Sequence, residues 1–286
     1  MVCHPGKSVV RDLAEETGLM TVSPENPNDK DVQEYLRSFD SDLFVLAAYG
    51  KILKQDTIDI PKVMCVNLHG GRLPEYRGSS PMNWSLINGE SCFGLSIIKV
   101  DSGVDTGDVL IDRKFDIAVT DTICDLHDIA NREFPLMLQD VVKQIDNGTH
   151  KLRKQDEAKA CYYPLRFPDD GLVFWDIFTA EQIHNRIRGL TEPYPCAFSF
   201  YRDREIKLLS SELCDEQFFG EPGRVYRKFK GKFFVCASDR CLWIKEAVFK
   251  DSDEPLYESI NRYEKLATVR NCLLENLRGG KMHIST

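Results

Sequence analysis

No Cys-x-x-Cys and no Cys/His pair at finger spacing occurs in the chain, so its ten cysteines do not spell a metal or redox framework. They read as reduced, mostly buried, small apolar residues. No window approaches 18 uninterrupted apolar residues, and Met-Val-Cys-His-Pro-Gly-Lys has no apolar h-region, so no membrane span or secretory leader is expected and the location is cytoplasmic. No internal repeat stands out at solenoid periods. Basic excess is missing too: 37 Lys/Arg face 45 Asp/Glu, a net charge of −8. That argues against a protein built to grip nucleic-acid phosphates or an anionic membrane.

What is present is ordinary for a folded protein. In 286 residues 42% are hydrophobic and 29% charged, which excludes disorder as the main state and allows one large or two modest domains. The acidity is uneven. Residues 1–150 carry 14 Lys/Arg against 24 Asp/Glu, a net of −10, and the rest 23 against 21. Two differently used halves are expected.

Four stretches of the first half read as buried strands: Leu43 to Tyr49, Val63 to Asn67, Gly94 to Val100 and Val109 to Ile111. Helical patterns lie between and after them. The clearest runs from Ile123 to Ile145 with apolar residues three or four apart, Thr122 as N-cap and Asn147-Gly148 as stop. This alternation predicts an α/β domain over 1–150 with a largely parallel sheet. A polar run and Tyr162-Tyr-Pro-Leu-Arg166 make a linker over 151–171. A helix over 180–190, five short strands between 197 and 248, and a helix over 259–277 predict a small antiparallel barrel domain over 172–286.

The chemistry concentrates between residues 66 and 108. Asn67 and His69 stand two apart at the end of a predicted strand, so their side chains share a face, and that end adjoins the crevice where open α/β sheets bind ligands. The Asp-rich loop after the next strand can bring Asp105 beside His69. An amide that donates to a developing oxyanion, an imidazole that moves a proton and a carboxylate that orients it are what acyl transfer to an amine needs. Taken singly, Asn-x-His is also a common satisfied loop pair. Asp101, Asp105 and Asp108 would also suit a divalent cation, although Val109-Leu-Ile breaks the twelve-position ligand pattern.

Together, Asn67-Leu-His69, Leu73-Pro-Glu-Tyr-Arg-Gly-Ser-Ser-Pro81 and Asp101-Ser-Gly-Val-Asp-Thr-Gly107 resemble the hallmarks of the N10-formyltetrahydrofolate-dependent formyltransferases. The resemblance extends over about residues 1 to 250, through Pro81-Met-Asn-Trp-Ser-Leu-Ile-Asn-Gly and Ile183-His-Asn-Arg-Ile-Arg-Gly189. It implies a Rossmann-like catalytic domain followed by a small OB-like β-barrel. It also implies a catalytic triad of Asn67, His69 and Asp105 without a metal, with the folate against Tyr49, Gly50, Ile52, Leu53, Asp101, Gly103 and Val104. His184 then reads as structural.

The resemblance leaves the formyl acceptor open among branches of the family. The initiator-tRNA branch carries a basic, glycine-containing insertion after an early strand, which this chain lacks at His4-Pro-Gly-Lys, and the acidic first half would repel tRNA phosphates. Sugar N-formyltransferases fit better: Pro81 to Gly89 is similar to the formyltransferase domain of the aminoarabinose-modifying enzyme. Arg77, Tyr162, Tyr163 and Arg166 are the expected contacts for a nucleotide-linked amino sugar, since aromatic faces stack bases and guanidinium groups pair with phosphates. A homodimer is expected with that branch. Hydrolysis of the formyl-folate keeps the same triad. A binding role without catalysis is also open, because the family's first strand, glycine-containing turn, helix and second strand, about 30 residues, have no counterpart ahead of Val2. A misplaced start is the preferred explanation.

Overall fold

Leu43–Ala47 (β1) and Met64–His69 (β2) lie side by side in parallel, with Leu43 opposite Met64 and Leu46 opposite Asn67. Residues 1–6 and 9–278 are described by the structure, a computed structural model. The chain then passes through Arg77–Gly78 (β3) and a helix over Pro81–Ile87 to Cys92–Lys99 (β4) and Val109–Asp116 (β5). The sheet order is β1-β2-β4-β5. The pair β2 and β4 runs antiparallel, with His69 opposite Ser96, so the sheet is mixed where the sequence suggested mostly parallel. The reason is physical: a strand such as Phe93 to Ile98, buried on both faces, shows a continuous apolar run in either direction. The helix Ile123–Asp146 follows its predicted span closely. Thr122 stands just ahead of the helix, and the Asp125 carboxylate in the first turn accepts from both its backbone N–H and its hydroxyl; these bonds hold the pKa of Asp125 below the usual carboxylate value.

Two compact units divide the chain. The first comprises Met1–Pro81, Gly94–Phe115 and Ala130–Tyr163, and includes a short parallel pairing of β3 with Tyr162–Tyr163 (β6). Val66, Leu95, Ile97, Met137 and Val141 are among its buried side chains.

The second unit comprises Met82–Phe93, Asp116–Ile129 and residues from Pro164 onward. Its five strands are Ala197–Tyr201 (β7), Arg204–Glu212 (β8), Val225–Phe229 (β9), Lys232–Cys236 (β10) and Cys241–Phe249 (β11). They pair antiparallel in the order β7-β8-β11-β10-β9, with register shifts around Glu246 and after Phe234 that bend the strands. Trp175 sits fully buried in this core, and its indole N–H donates to Ser199 Oγ at 2.8 Å. The helix Ala180–Leu190 is closed at its N-terminus by a reciprocal Thr179/Gln182 capping box.

The helix expected over 259–277 is broken. Leu256–Ser259 is one short turn, and the next helix is Val269–Arg278. Between them the backbone runs along the edge of β9: Tyr263 N donates to Val225 O, Val225 N to Glu264 O and Leu266 N to Gly223 O. Lys228 Nζ donates to the carbonyls of Tyr257 and Ile260. These partners satisfy groups that a continuous helix would have paired internally. Five cysteines are buried, two half-buried and three exposed, none of them in a disulfide, fewer buried than the composition suggested. Among the described residues no helix is long and apolar enough to cross a membrane.

Candidate active site

The last turn of β2 delivers Asn67 and His69 to one face, and Asp105 reaches them from the loop joining β4 to β5. Asn67 Nδ2 donates to Asp105 Oδ1 at 3.3 Å, and the backbone N–H of Gly78 donates to the other oxygen, Oδ2, at 2.9 Å. His69 is 5% exposed and places Nδ1 3.5 Å from Asp105 Oδ1. Its Nε2 lies 2.6 Å from the carbonyl oxygen of Tyr76. A carbonyl can only accept, so this contact assigns the neutral ring its Nε2–H tautomer. The Nδ1 lone pair then faces a carboxylate, which accounts for the 3.5 Å spacing. The unprotonated ring nitrogen is thus turned toward the Asn67–Asp105 side.

Close packing fixes the imidazole. A Cβ at Gly71 would stand 2.5 Å from Tyr76 O, 2.6 Å from His69 Nε2 and 2.8 Å from Pro81 Cβ, so only glycine fits. Buried Ser96, opposite His69 in the sheet, donates to Gly71 O at 3.0 Å and pins that turn. Gly78 has φ +96, and a Cβ there would meet Tyr163 O at 2.2 Å; the same strain-free turn aims its N–H at Asp105.

The other residues singled out by sequence fall in separate places. The Tyr49 ring stacks on His4 at 5.0 Å and Gly50 N donates to His4 Nε2; burial pushes the Tyr49 phenol up. Ile52 is 77% exposed and Leu53 half-buried. Asn28, which sequence reasoning missed, ties this loop by donating to Ile52 O and accepting from Lys54 N and Thr57 Oγ1. Asp101 spends Oδ1 within its own loop, accepting from Gly103 N and Thr106 Oγ1, while Val104 is 51% exposed.

Arg77 is fully buried. Its guanidinium donates to Gln155 Oε1, to both Glu157 oxygens and to the Tyr162 hydroxyl, bonds led by the Glu157 pair that push its pKa up and Glu157's down. It is committed to the protein. Tyr162 is exposed over that guanidinium, and Tyr163 stacks on Tyr76 at 4.7 Å. Arg166 belongs to the second unit, where it covers the Trp84 ring at 4.9 Å and donates to Asp170 O; burial pushes its pKa down. His184 is buried, with Nδ1 on Ser211 Oγ and Nε2 on Val119 O. A cavity of about 660 Å³ in the second unit, walled by Trp84, Phe178, Gln182, Asn185 and Arg186, includes none of the residues expected from the sequence to act in catalysis or binding. Among the described residues no group of three or more His, Cys, Asp or Glu is placed to hold a metal ion.

An amide donor and a fixed-tautomer imidazole at the end of β2 meet a carboxylate from the β4–β5 loop, a set of groups whose chemistry suits acyl transfer. The chain belongs to the formyl transferase family: that family's model matches residues 4–142, and the model of its C-terminal domain matches residues 167–259. A methionyl-tRNA formyltransferase from Ruminiclostridium cellulolyticum is 33% identical over 264 residues, 91% of this chain and 83% of the relative. The fold is shared with the sugar 3N-formyl transferase WlaRD, solved in the presence of dTDP and 5-N-formyl-THF (TM-score 0.62, 22% identity, 86% of this chain and 82% of that one). It is shared equally with an N-formyltransferase from Helicobacter canadensis in complex with folinic acid and dTDP-3-aminofucose (TM-score 0.62, 21% identity, 83% and 82%).

Proposed function

We propose that the protein moves a formyl group from N10-formyltetrahydrofolate to the amino group of a nucleotide-linked sugar, with Asn67, His69 and Asp105 as catalytic residues. The folate supplies an activated formyl group on nitrogen. The observation that carries the reading is the Nδ1 side of His69, where base, carboxylate and amide meet. Asn67 retains a second amide N–H beyond the one given to Asp105, and donates it to the oxyanion that forms when the amine attacks the formyl carbon. His69 Nδ1 takes the proton released by the attacking amine. Asp105 stabilises the resulting imidazolium, which returns the proton to the departing nitrogen. Exposed Ile52 and Val104 leave apolar surface open on the two loops assigned to the folate, which suits a flat heterocycle.

The charge of residues 1–150 supports a small acceptor: at −10 this stretch repels a polyanion within a Debye length of about 8 Å. A second reading, initiator methionyl-tRNA as acceptor, is favoured by one observation: the curated relatives at 33–34% identity bear that name. The test is incubation with formyl-folate and, separately, dTDP- and UDP-linked amino sugars, charged initiator tRNA, or buffer, followed by mass spectrometry. A formylated nucleotide sugar is expected. Formylated tRNA alone overturns the sugar reading, and folate release in buffer alone at the same rate replaces transfer with hydrolysis.

A further inference from the structure

Gln155 lies in the polar run between Arg153 and Ala160, with nothing in its surroundings in sequence to mark it. In the fold its amide is the hub of three hydrogen bonds within the first unit. Nε2 donates to the backbone carbonyls of Asp105 at 2.8 Å and Gly107 at 2.7 Å, and Oε1 accepts from Arg77 Nε at 3.0 Å. Asp105 is left-handed, at φ 54, a conformation that a non-glycine residue holds only when its surroundings impose it. Two contacts impose it here: Gln155 at the carbonyl and Gly78 N at the carboxylate. Arg77 is in turn held by Glu157 and Tyr162, so the Gln155 amide cannot rotate without breaking all three bonds.

We propose that Gln155 is a positioning residue for formyl transfer: it fixes the backbone of Asp105 so that the carboxylate stands opposite Nδ1 of His69. The proposal rests on the assignment of Asn67, His69 and Asp105 as the catalytic groups. Gln155 touches none of the reacting atoms and acts only through Asp105. Two consequences separate this role from a general contribution to folding. Its loss lowers kcat while leaving the KM for the formyl donor near its original value, and its loss has no further effect once the Asp105 carboxylate is gone.

The experiment is a double-mutant cycle on the full chain, with N10-formyltetrahydrofolate and whichever acceptor turns over in the panel above. Gln155→Ala is expected to lower kcat about 10- to 100-fold, in line with the cost of misplacing a catalytic group by about 1 Å, with KM for the folate changed less than about three-fold. In an Asp105→Ala background the same substitution is expected to change kcat less than about two-fold. Equal losses in both backgrounds, or no loss in either, overturn the proposal. An Asp105→Ala variant with full activity fails the catalytic assignment itself and takes this proposal with it. Should Gln155→Ala not fold, Gln155→Glu, of the same size, takes its place in the cycle. Its carboxylate cannot donate to the two carbonyls, so the same loss is expected, and wild-type turnover or failure of both variants to fold overturns the role.

Discussion

Adding one methyl group at Gly71 is the sharpest probe of the site. The Cβ of Gly71→Ala would lie 2.5 Å from Tyr76 O, 2.6 Å from His69 Nε2 and 2.8 Å from Pro81 Cβ. Ordinary van der Waals contact begins near 3.4 Å, so the neighbours must each retreat by about 0.6–0.9 Å. Backbone and proline cannot swing aside as a flexible side chain would, and the turn is also pinned through Ser96. Overpacking of this kind costs about 1–3 kcal/mol. At roughly 2–4 °C per kcal/mol for a chain of this class, the first unit should melt about 2–12 °C lower. The displacement also lifts Nε2 from the Tyr76 carbonyl, which holds the ring tautomer, and shifts Nδ1 relative to Asp105. A move of about 1 Å in a reacting group costs on the order of 10² in rate, so kcat should fall far more than the folded fraction. Calorimetry beside steady-state formyl transfer reads both quantities. Unchanged melting together with kcat within about three-fold of wild type would falsify the close approach and the reasoning built on it.

His69→Ala and Asp105→Asn should each depress kcat by about 10² or more with folded protein retained, as judged by circular dichroism; near-full turnover in His69→Ala removes the proton-transfer role. In the second unit Glu264 accepts from the Tyr201 hydroxyl, Asn261 N and Arg202, and these bonds, Tyr201 first, hold its pKa at about 2 against an ordinary 4.5. A carboxylate depressed in the folded state stabilises above its unfolded value and loses that contribution as pH falls through the folded one. Melting of the second unit should therefore drop between about pH 4.5 and pH 2, and Glu264→Gln should flatten that slope. Trp175→Phe should leave the Ser199 hydroxyl buried without its indole partner and cost about 1–3 kcal/mol, read by denaturant unfolding; an unchanged midpoint contradicts the burial of that pair.

The parts of the site that were legible in sequence are those set by local rules. Asn67 and His69 share a face because strand side chains alternate, and the helix from Ile123 announces itself by period and by its Asn147-Gly148 stop, where Gly148 has φ +64. The parts that were illegible depend on distant partners. Arg77 reads in sequence as a contact for a nucleotide-linked sugar because guanidinium groups pair with phosphates, yet Glu157, Gln155 and Tyr162, about 80 residues on, take up its donors. Gln155 carried no signal at all, since an amide in a polar run is ordinarily solvated. The break after Ser259 was hidden because Tyr263 to Leu266 pair with a strand edge that only the tertiary fold supplies.

The segment from Arg153 to Tyr163 pairs with Val109 at one end and with Arg77–Gly78 at the other, holding Asp105 in between. It therefore has a fixed length, unlike a tether. One inserted or deleted residue within it would shift Gln155, or Tyr162 and Tyr163, out of register with the loops they clasp. Chimaeras that exchange the part of the second unit from Pro164 onward between family members should accordingly be joined after Tyr163, where the chain leaves the first unit for the last time. A junction near residue 150 would import a foreign clasp and separate Asp105 from the partner that shapes it.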